Sequence, residues 1–118
     1  MTTHDKTIFK ITTSEAWRQA AHDGIVPPSA IDRHDGFIHL STSGQLRETL
    51  SLHFRGQGGL KVLAVDTGQI AEALKWEPSR NGDLFPHLYA SLPCAAIVEV
   101  LDVGVDGTGG ASLPATFP

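Results

Sequence analysis

A nearly continuous apolar run at residues 60–65 is the feature that most constrains the fold of this chain. Such a run is typical of a β-strand covered on both faces. A second β-like run spans residues 94–103, and shorter strands are predicted at residues 8–11, 37–40 and 75–77. Residues 84–89 are also extended but contain Pro86, which cannot donate to a strand ladder, so an edge or bulged strand is expected there.

Two helices are predicted in the first half of the chain. Each begins with a capping box, in which a hydroxyl and a side chain three residues later satisfy the first free amides of a helix. The first helix should run to about His22 and stop at Gly24, and the second should carry apolar residues on one face as far as Phe54. The two boxes pair Thr12 with Glu15 and Thr42 with Gln45.

The order of these elements predicts an α+β domain, because helices do not follow every strand as they do in a doubly wound sheet. We expect one domain at residues 1–103. Residues 104–118 hold four glycines and two prolines with little periodicity. They are therefore expected to form a C-terminal tail without a core role of its own.

The composition and net charge of the chain exclude or disfavour several classes of protein. The chain has 118 residues, of which 41% are apolar and 19% are charged, which excludes long-range disorder. Its net charge of −4 disfavours nucleic-acid binding, and its one cysteine excludes a disulfide framework or a multi-cysteine zinc site. Residues 1–10 contain no apolar run of the signal-peptide kind, and no stretch is long enough to span a membrane. The expectation is a cytoplasmic protein.

Histidines are the unusual feature, with six in a short chain. Alternation along a strand places an aromatic ring, an imidazole and a hydroxyl on one face of each of two extended segments. If these faces converge, they form a cleft for a small ligand. The alternatives are two core histidines bonded to backbone carbonyls, or a metal site that adds a carboxylate. The two sets are Phe37, His39 and Ser41, and Phe85, His87 and Tyr89.

The turn between the strand at 37–40 and the second helix is a candidate anion site. Free amides at the start of a helix carry partial positive charge, and Ser41 and Thr42 supply hydroxyls beside them. We expect these amides to face the histidine cleft. Ordinary capping by Thr42 is the alternative.

A third candidate is the cluster of Trp76, Glu77 and Arg80 at the mouth of a polar turn. Trp76 should be at least half buried, because its indole is costly to expose. Glu77 can pair with Arg80. If Glu77 borders the histidine cleft and is partly desolvated, the pKa of its carboxyl should be raised unless Arg80 offsets the shift. A surface ion pair without a functional role is the alternative.

Several strings together resemble a known bacterial family. They occur in order along about residues 7–103, and the family is known as domain of unknown function number nine hundred and fifty-two. A member of this family looks like the ADP-ribosyltransferase fold, a small, mixed, split β-sheet core with helices around an NAD cleft. The resemblance implies no particular reaction. The strings are Ile8-Phe9-Lys10-Ile11-Thr12 with Trp17, Asp35-Gly36-Phe37-Ile38-His39-Leu40-Ser41-Thr42 with Gln45, Leu74-Lys75-Trp76-Glu77, and Phe85-Pro86-His87-Leu88-Tyr89.

The resemblance also implies roles for individual positions. In such enzymes a His or Arg on the first core strand holds the NAD ribose, and the matching position here is Lys10. Many of these enzymes have a Tyr on a strand that precedes a helix, and the corresponding segment here contains His39, Ser41 and Thr42. A late-strand glutamate that stabilises the reacting sugar corresponds to Glu77 or Glu99.

Three functions remain open at this point. The chain is an enzyme of ADP-ribosyltransferase type with NAD or a related nucleotide as cofactor, a non-catalytic binding module for a small metabolite or a partner peptide, or a dimerisation module that uses the same surface. No metal, nucleic-acid or membrane partner is expected. The candidate catalytic residues are His39, Glu77 and His87, and the candidate ligand-binding residues are Lys10, Thr12, Ser41, Thr42, Trp76, Arg80 and Tyr89.

Overall fold

The computed structural model describes residues 6–113 and builds them from short strands and three helices. It confirms an α+β architecture. No helix in this part of the chain has the length and apolar character needed to cross a membrane. The elements in chain order are β1 (Thr7–Thr13), α1 (Ser14–Asp23), β2 (Ile25–Val26), α2 (Ala30–Asp35), β3 (Ile38–His39), α3 (Ser43–His53), β4 (Leu60–Asp66), β5 (Leu74–Pro78), β6 (Leu84–Leu88), β7 (Leu92–Pro93) and β8 (Ile97–Val103).

The apolar run at residues 60–65 forms β4, the central strand of a sheet with the order β1-β4-β8. Apolar clusters cover both faces of this sheet, as the run predicted. Leu63 and Val65 belong to one cluster with Ile8, whereas Val62 belongs to the other with Phe9. Alternate residues therefore serve opposite sides of the sheet, since side chains point to alternate faces along a strand.

A second sheet has the order β3-β6-β5, and β2 pairs with β7 in a third. All strand pairs within residues 6–113 are antiparallel, so the mixed sheet that the resemblance implied is not found there. One bridge joins β1 to the chain just after β3. The Phe9 N–H donates to the Ser41 carbonyl at 2.8 Å, and the Ser41 N–H donates to the Phe9 carbonyl at 2.9 Å. The cleft described below lies beside this junction.

Of the two predicted helix caps, one is confirmed and the other lies one residue later in the chain. A third helix is also present. In α3 the Thr42 N–H donates to Gln45 Oε1 at 3.0 Å, as predicted. The cap of α1 is Thr13 rather than Thr12, because Thr13 Oγ1 accepts from the amide of Ala16. Thr12 instead completes the buried part of β1. The helix α2 was not predicted.

Pro86 lies within the central strand of its sheet, so the expected edge or bulged strand was wrong. The N and O of one residue point to the same side of an antiparallel ladder. The Pro86 carbonyl accepts from the Leu40 N–H at 3.1 Å, so the missing donor also faces that side. On that side of β6 the neighbouring strand β3 has already ended at His39. The missing N–H of Pro86 therefore does not interrupt a ladder that continues.

The segment after β8 takes part in the core, which corrects the expectation of a tail without such a role. Val105 is buried in the cluster that contains α3 and forms a bridge with Ala111. Residues 114–118 of the predicted tail lie outside the described residues. The predicted strand at 94–103 starts at Ile97, because Cys94–Ala96 form a 3-10 turn. Between β4 and β5 the chain forms two further 3-10 turns, at Thr67–Gln69 and Ala71–Ala73.

Candidate functional site

A cleft of about 800 Å³ opens between β1, the chain before and within α2, the C-terminal half of α3, and β6. Both candidate histidines border it, as predicted. Apolar side chains make up much of its wall. Within residues 6–113, five of its polar lining residues are buried: Lys10 and Thr12 of β1, Asp32 of α2, Ser41 after β3, and His87 of β6.

His39 and His87 are directly paired residues on β3 and β6. Their ring centroids are 5.7 Å apart. The ring of Phe37 stacks on His87 at 4.1 Å and lies 4.5 Å from His39. The two segments predicted from strand alternation therefore converge on one aromatic cluster at the cleft.

Asp32 links this cluster to β1 and is the residue that the sequence analysis missed. It is 2% exposed. Its Oδ2 accepts from Lys10 Nζ at 2.7 Å and from the Ser29 N–H at 2.9 Å. Its Oδ1 accepts from the N–H of His39 at 3.0 Å and lies 2.7 Å from His39 Nδ1. One carboxylate thereby orients both a lysine and a histidine of the cleft.

The charges of Lys10 and Asp32 are coupled. Burial would raise the pKa of Asp32, but the hydrogen bond from His39 and the charge of Lys10 together hold that pKa well below its ordinary value. Burial lowers the pKa of Lys10, and Asp32 offsets part of that shift. The pair, with Lys10 4% exposed, is therefore a buried ion pair at the wall of the cleft.

Both ring nitrogens of His39 are occupied. Nδ1 lies 2.7 Å from Asp32 Oδ1, and Nε2 lies 2.8 Å from Asp35 Oδ2. A carboxylate accepts hydrogen bonds and does not donate them, so both contacts are satisfied when both nitrogens carry a proton. In this geometry neither nitrogen of His39 is open to a ligand in the cleft.

Glu77 partners His87 rather than Arg80. Glu77 Oε1 lies 2.9 Å from His87 Nδ1 and accepts from the Tyr89 hydroxyl at 2.7 Å. A raised pKa was expected only if Glu77 bordered the cleft, and it does not. The hydrogen bonds from Tyr89 and His87 instead lower the pKa of Glu77. The same contact with Glu77 raises the pKa of Tyr89. Glu77 thus supports His87 from behind, outside the lining of the cleft.

Arg80 borders the cleft but is tied to α3, not to Glu77. Its Nε donates to Glu48 Oε1 at 2.6 Å, and its terminal nitrogens both lie 3.2 Å from Thr49 Oγ1. Its guanidinium lies 4.9 Å from the centre of the Phe85 ring. Arg80 therefore connects the turn after β5 to α3, which forms part of the cleft wall.

The remaining predicted residues divide into two groups. Thr12 and Ser41 line the cleft, whereas Thr42, Trp76 and Tyr89 do not. The free amides at the start of α3 were expected to face the cleft. They do not, because α3 lines the cleft only from Thr49 onward. Trp76 is more than half buried, as predicted, and packs against the first core cluster.

A usable signal for Asp32 was present in the sequence. Ser29 and Asp32 form a reciprocal capping box at the start of α2. Capping boxes usually end in Glu or Gln, and Asp32 satisfies the same geometry here. Within the described residues, no group of three or more His, Cys, Asp or Glu side chains is arranged to hold a metal ion.

Comparisons with known proteins agree with the family resemblance. Residues 11–100 match the family model described as a protein of unknown function, DUF952. The crystal structure of protein CC0527 from Caulobacter crescentus is 42% identical, covers 91% of this chain and 94% of its own, and superposes with a TM-score of 0.85. The solution NMR structure of CC0527 is 41% identical, with coverages of 92% and 94% and a TM-score of 0.80. Comparison with curated proteins gives no match.

Proposed function

The chain belongs to the DUF952 family of proteins of unknown function, and we propose that its cleft binds a small polar ligand of the NAD or nucleotide class. The observation that carries this proposal is the cleft itself. Its volume of about 800 Å³ lies within the range of about 300–1,000 Å³ typical of small-ligand sites. Such sites combine apolar walls with a few oriented polar groups, and this cleft has the same composition.

The polar groups suit a sugar and a charged ligand. The hydroxyls of Thr12 and Ser41 can bond to sugar hydroxyls, and the cations of Lys10 and Arg80 sit at two separate parts of the wall. Lys10 and Arg80 each have a carboxylate partner, so neither needs a ligand to remain buried or ordered. Apolar side chains such as Phe85 offer surface to a nucleobase or a nicotinamide ring.

Two features support an ADP-ribosyltransferase-like arrangement in particular. Lys10 stands on the first core strand beside the cleft, at the position where the resemblance implies a contact with the ribose. The strands also divide into two three-stranded sheets next to the cleft, joined by the Phe9–Ser41 bridge. Glu77 does not fit the role of a glutamate facing the reacting sugar, since it lies behind His87 and does not line the cleft.

The test is a binding panel with a variant that fills the cleft. NAD, ADP-ribose, AMP and nicotinamide mononucleotide are added to the protein, and the unfolding temperature and the heat of binding are measured. A ligand present at about 100 times its Kd stabilises the folded state by roughly 2.7 kcal/mol. At least one member of the panel should produce a shift of that kind.

Ala30→Trp is the blocking variant, because Ala30 lines the cleft and its side chain is exposed. Ala21→Trp, at an exposed position of α1 away from the cleft, is the matched control. Binding should persist in the control and disappear in Ala30→Trp. Binding that survives in Ala30→Trp, or no binding by any member of the panel, would overturn the proposal. Release of nicotinamide from NAD, followed by proton NMR, separates an enzyme from a binding module.

A further inference from the structure

We propose that His87 is the cleft residue that takes a proton from a hydroxyl of the ligand, through its Nε2 atom. In this scheme Glu77 holds His87 in the required tautomer, and His39 takes no part in proton transfer. The inference rests on the proposed function in that it needs a ligand in the cleft. Its first test uses the ligand-free protein, so the two proposals can fail separately.

The tautomer of His87 follows from its hydrogen bonds. Tyr89 donates its hydroxyl proton to Glu77 Oε1 at 2.7 Å, and the same oxygen lies 2.9 Å from His87 Nδ1. A carboxylate has no proton to give, so Nδ1 must carry the proton of this contact. A neutral imidazole has one N–H, and its other nitrogen then has a free lone pair. In His87 that nitrogen is Nε2.

The lone pair of Nε2 is available to the cleft. His87 is 5% exposed and lines the cleft, and within residues 6–113 no protein group is bonded to Nε2. No buried nitrogen or oxygen side-chain atom of these residues lacks a partner, so Nε2 is not sealed in the interior. An acceptor at this position selects a ligand group that carries a proton. A sugar hydroxyl, such as that of a ribose, is such a group.

His39 cannot perform the same task in this geometry. Asp32 and Asp35 occupy its two nitrogens at 2.7 and 2.8 Å. Accepting a proton would require one of these contacts to break. His39 therefore contributes a ring of fixed orientation beside His87, and only His87 of the cross-strand pair has a nitrogen free to accept a proton.

The proton step is simple to balance. The ligand O–H bond breaks, a new N–H bond forms at Nε2, and the electron pair of the broken bond stays on the ligand oxygen. His87 becomes an imidazolium whose charge faces the Glu77 carboxylate at 2.9 Å. A carboxylate hydrogen-bonded to the opposite nitrogen stabilises the charged ring and fixes its orientation.

The first experiment determines the tautomers directly in protein labelled with ¹⁵N histidine, by long-range ¹H–¹⁵N spectra without ligand. When the ring of His87 is neutral, it should show a protonated Nδ1 and a bare Nε2. A His87 that is protonated on Nε2 and bare on Nδ1 would overturn the proposal.

Two variants separate a positioning role of Glu77 from a merely structural one. Glu77→Ala removes the acceptor that holds the Nδ1 proton, so His87 should shift toward the tautomer with the proton on Nε2. Tyr89→Phe is the matched control, because it deletes the neighbouring hydrogen bond but keeps the carboxylate. The tautomer should not change in the control. An unchanged tautomer in Glu77→Ala contradicts the role given to Glu77.

The final arm adds ADP-ribose as the probe. The Nε2 resonance of His87 should move by far more than either nitrogen of His39, and Glu77→Ala should reduce the affinity for the probe several-fold. Binding that leaves the Nε2 resonance unmoved overturns the proton-transfer role while the proposed function stands. The expected tautomers together with no binding by any nucleotide would refute the proposed function, and with it this role for His87 toward a nucleotide hydroxyl.

Discussion

His39 and His87 face each other across β3 and β6, with ring centroids 5.7 Å apart, yet they differ in what they leave for a ligand. Asp32 and Asp35 engage both nitrogens of His39. Glu77 engages only one nitrogen of His87. The difference arises because α2 brings both aspartates beside β3, whereas β5 places a single carboxylate behind β6.

Removing Asp32 should cost more stability than removing Lys10. Asp32→Asn leaves the buried ammonium of Lys10 without an opposite charge, beside a neutral amide and the His39 carbonyl at 3.3 Å. Leaving one member of a buried ion pair without its partner typically costs about 3–5 kcal/mol. Lys10→Met leaves the carboxylate with donors from Ser29 and His39, so its cost should stay below about 2 kcal/mol. Urea unfolding of both variants measures the two values, and the reverse order would contradict this account.

Stability should fall in acid partly through Asp32. The pKa of its carboxyl is lower in the folded protein than the ordinary value near 3.9, so the unfolded chain binds more protons between the two values. The stabilisation is complete above about pH 4 and is lost as the pH falls below it. Unfolding free energies from pH 6 to pH 2 measure this slope. It should be shallower in Asp32→Asn and unchanged in Glu72→Gln, an exposed control.

Tyr89→Phe should raise the pKa of Glu77 toward its ordinary value. The hydroxyl of Tyr89 is the largest cause of the low pKa, and the variant keeps the ring that packs 5.2 Å from Phe37. Titration of the Glu77 carboxyl carbon by ¹³C NMR follows the change. His87 still bonds to Glu77 in the variant, so the recovery should be partial. A pKa that stays where it was would show that the hydroxyl is not the cause.

Val105→Ala should destabilise the protein although the residue lies beyond β8. Val105 is buried against the cluster that contains Leu46 and Leu50 of α3. Losing its two methyl groups costs about 2 kcal/mol by the usual value for buried carbon. Val98→Ala is the matched control, because Val98 is 60% exposed, and its cost should be within about 0.5 kcal/mol. Equal costs for the two variants would mean that the C-terminal segment adds nothing to the core.

The parts of the site that were predicted correctly depend on local patterns. Strand alternation within a few residues placed Phe37, His39 and Ser41 on one face, and the matching pattern placed Phe85 and His87. A continuous apolar run likewise identified β4. These inferences required no knowledge of which segments pair, because the period of a strand is a property of the backbone.

The parts that were missed depend on partners far away in the chain. Asp32 meets Lys10 across 22 residues, and Arg80 meets Thr49 across 31. A Glu77–Arg80 pair was the natural expectation from their spacing, but β5 and the turn after it send the two side chains to different neighbours. The six residues of α2 are too few to show a helical period, so only its cap could have revealed it. The placement of Pro86 depended on where β3 ends.

The bridge between Phe9 and Ser41 offers a way to detect a ligand in the cleft without assuming which ligand it is. Its two backbone amides are the reciprocal pair that ties one sheet to the other. Their exchange with deuterium reports openings at this seam, since an amide exchanges only when its hydrogen bond is broken. A molecule that contacts both sheets should slow the exchange of these two protons more than that of the β4–β8 ladder. A cellular extract could therefore be fractionated against this signal until the fraction that slows it contains a single compound.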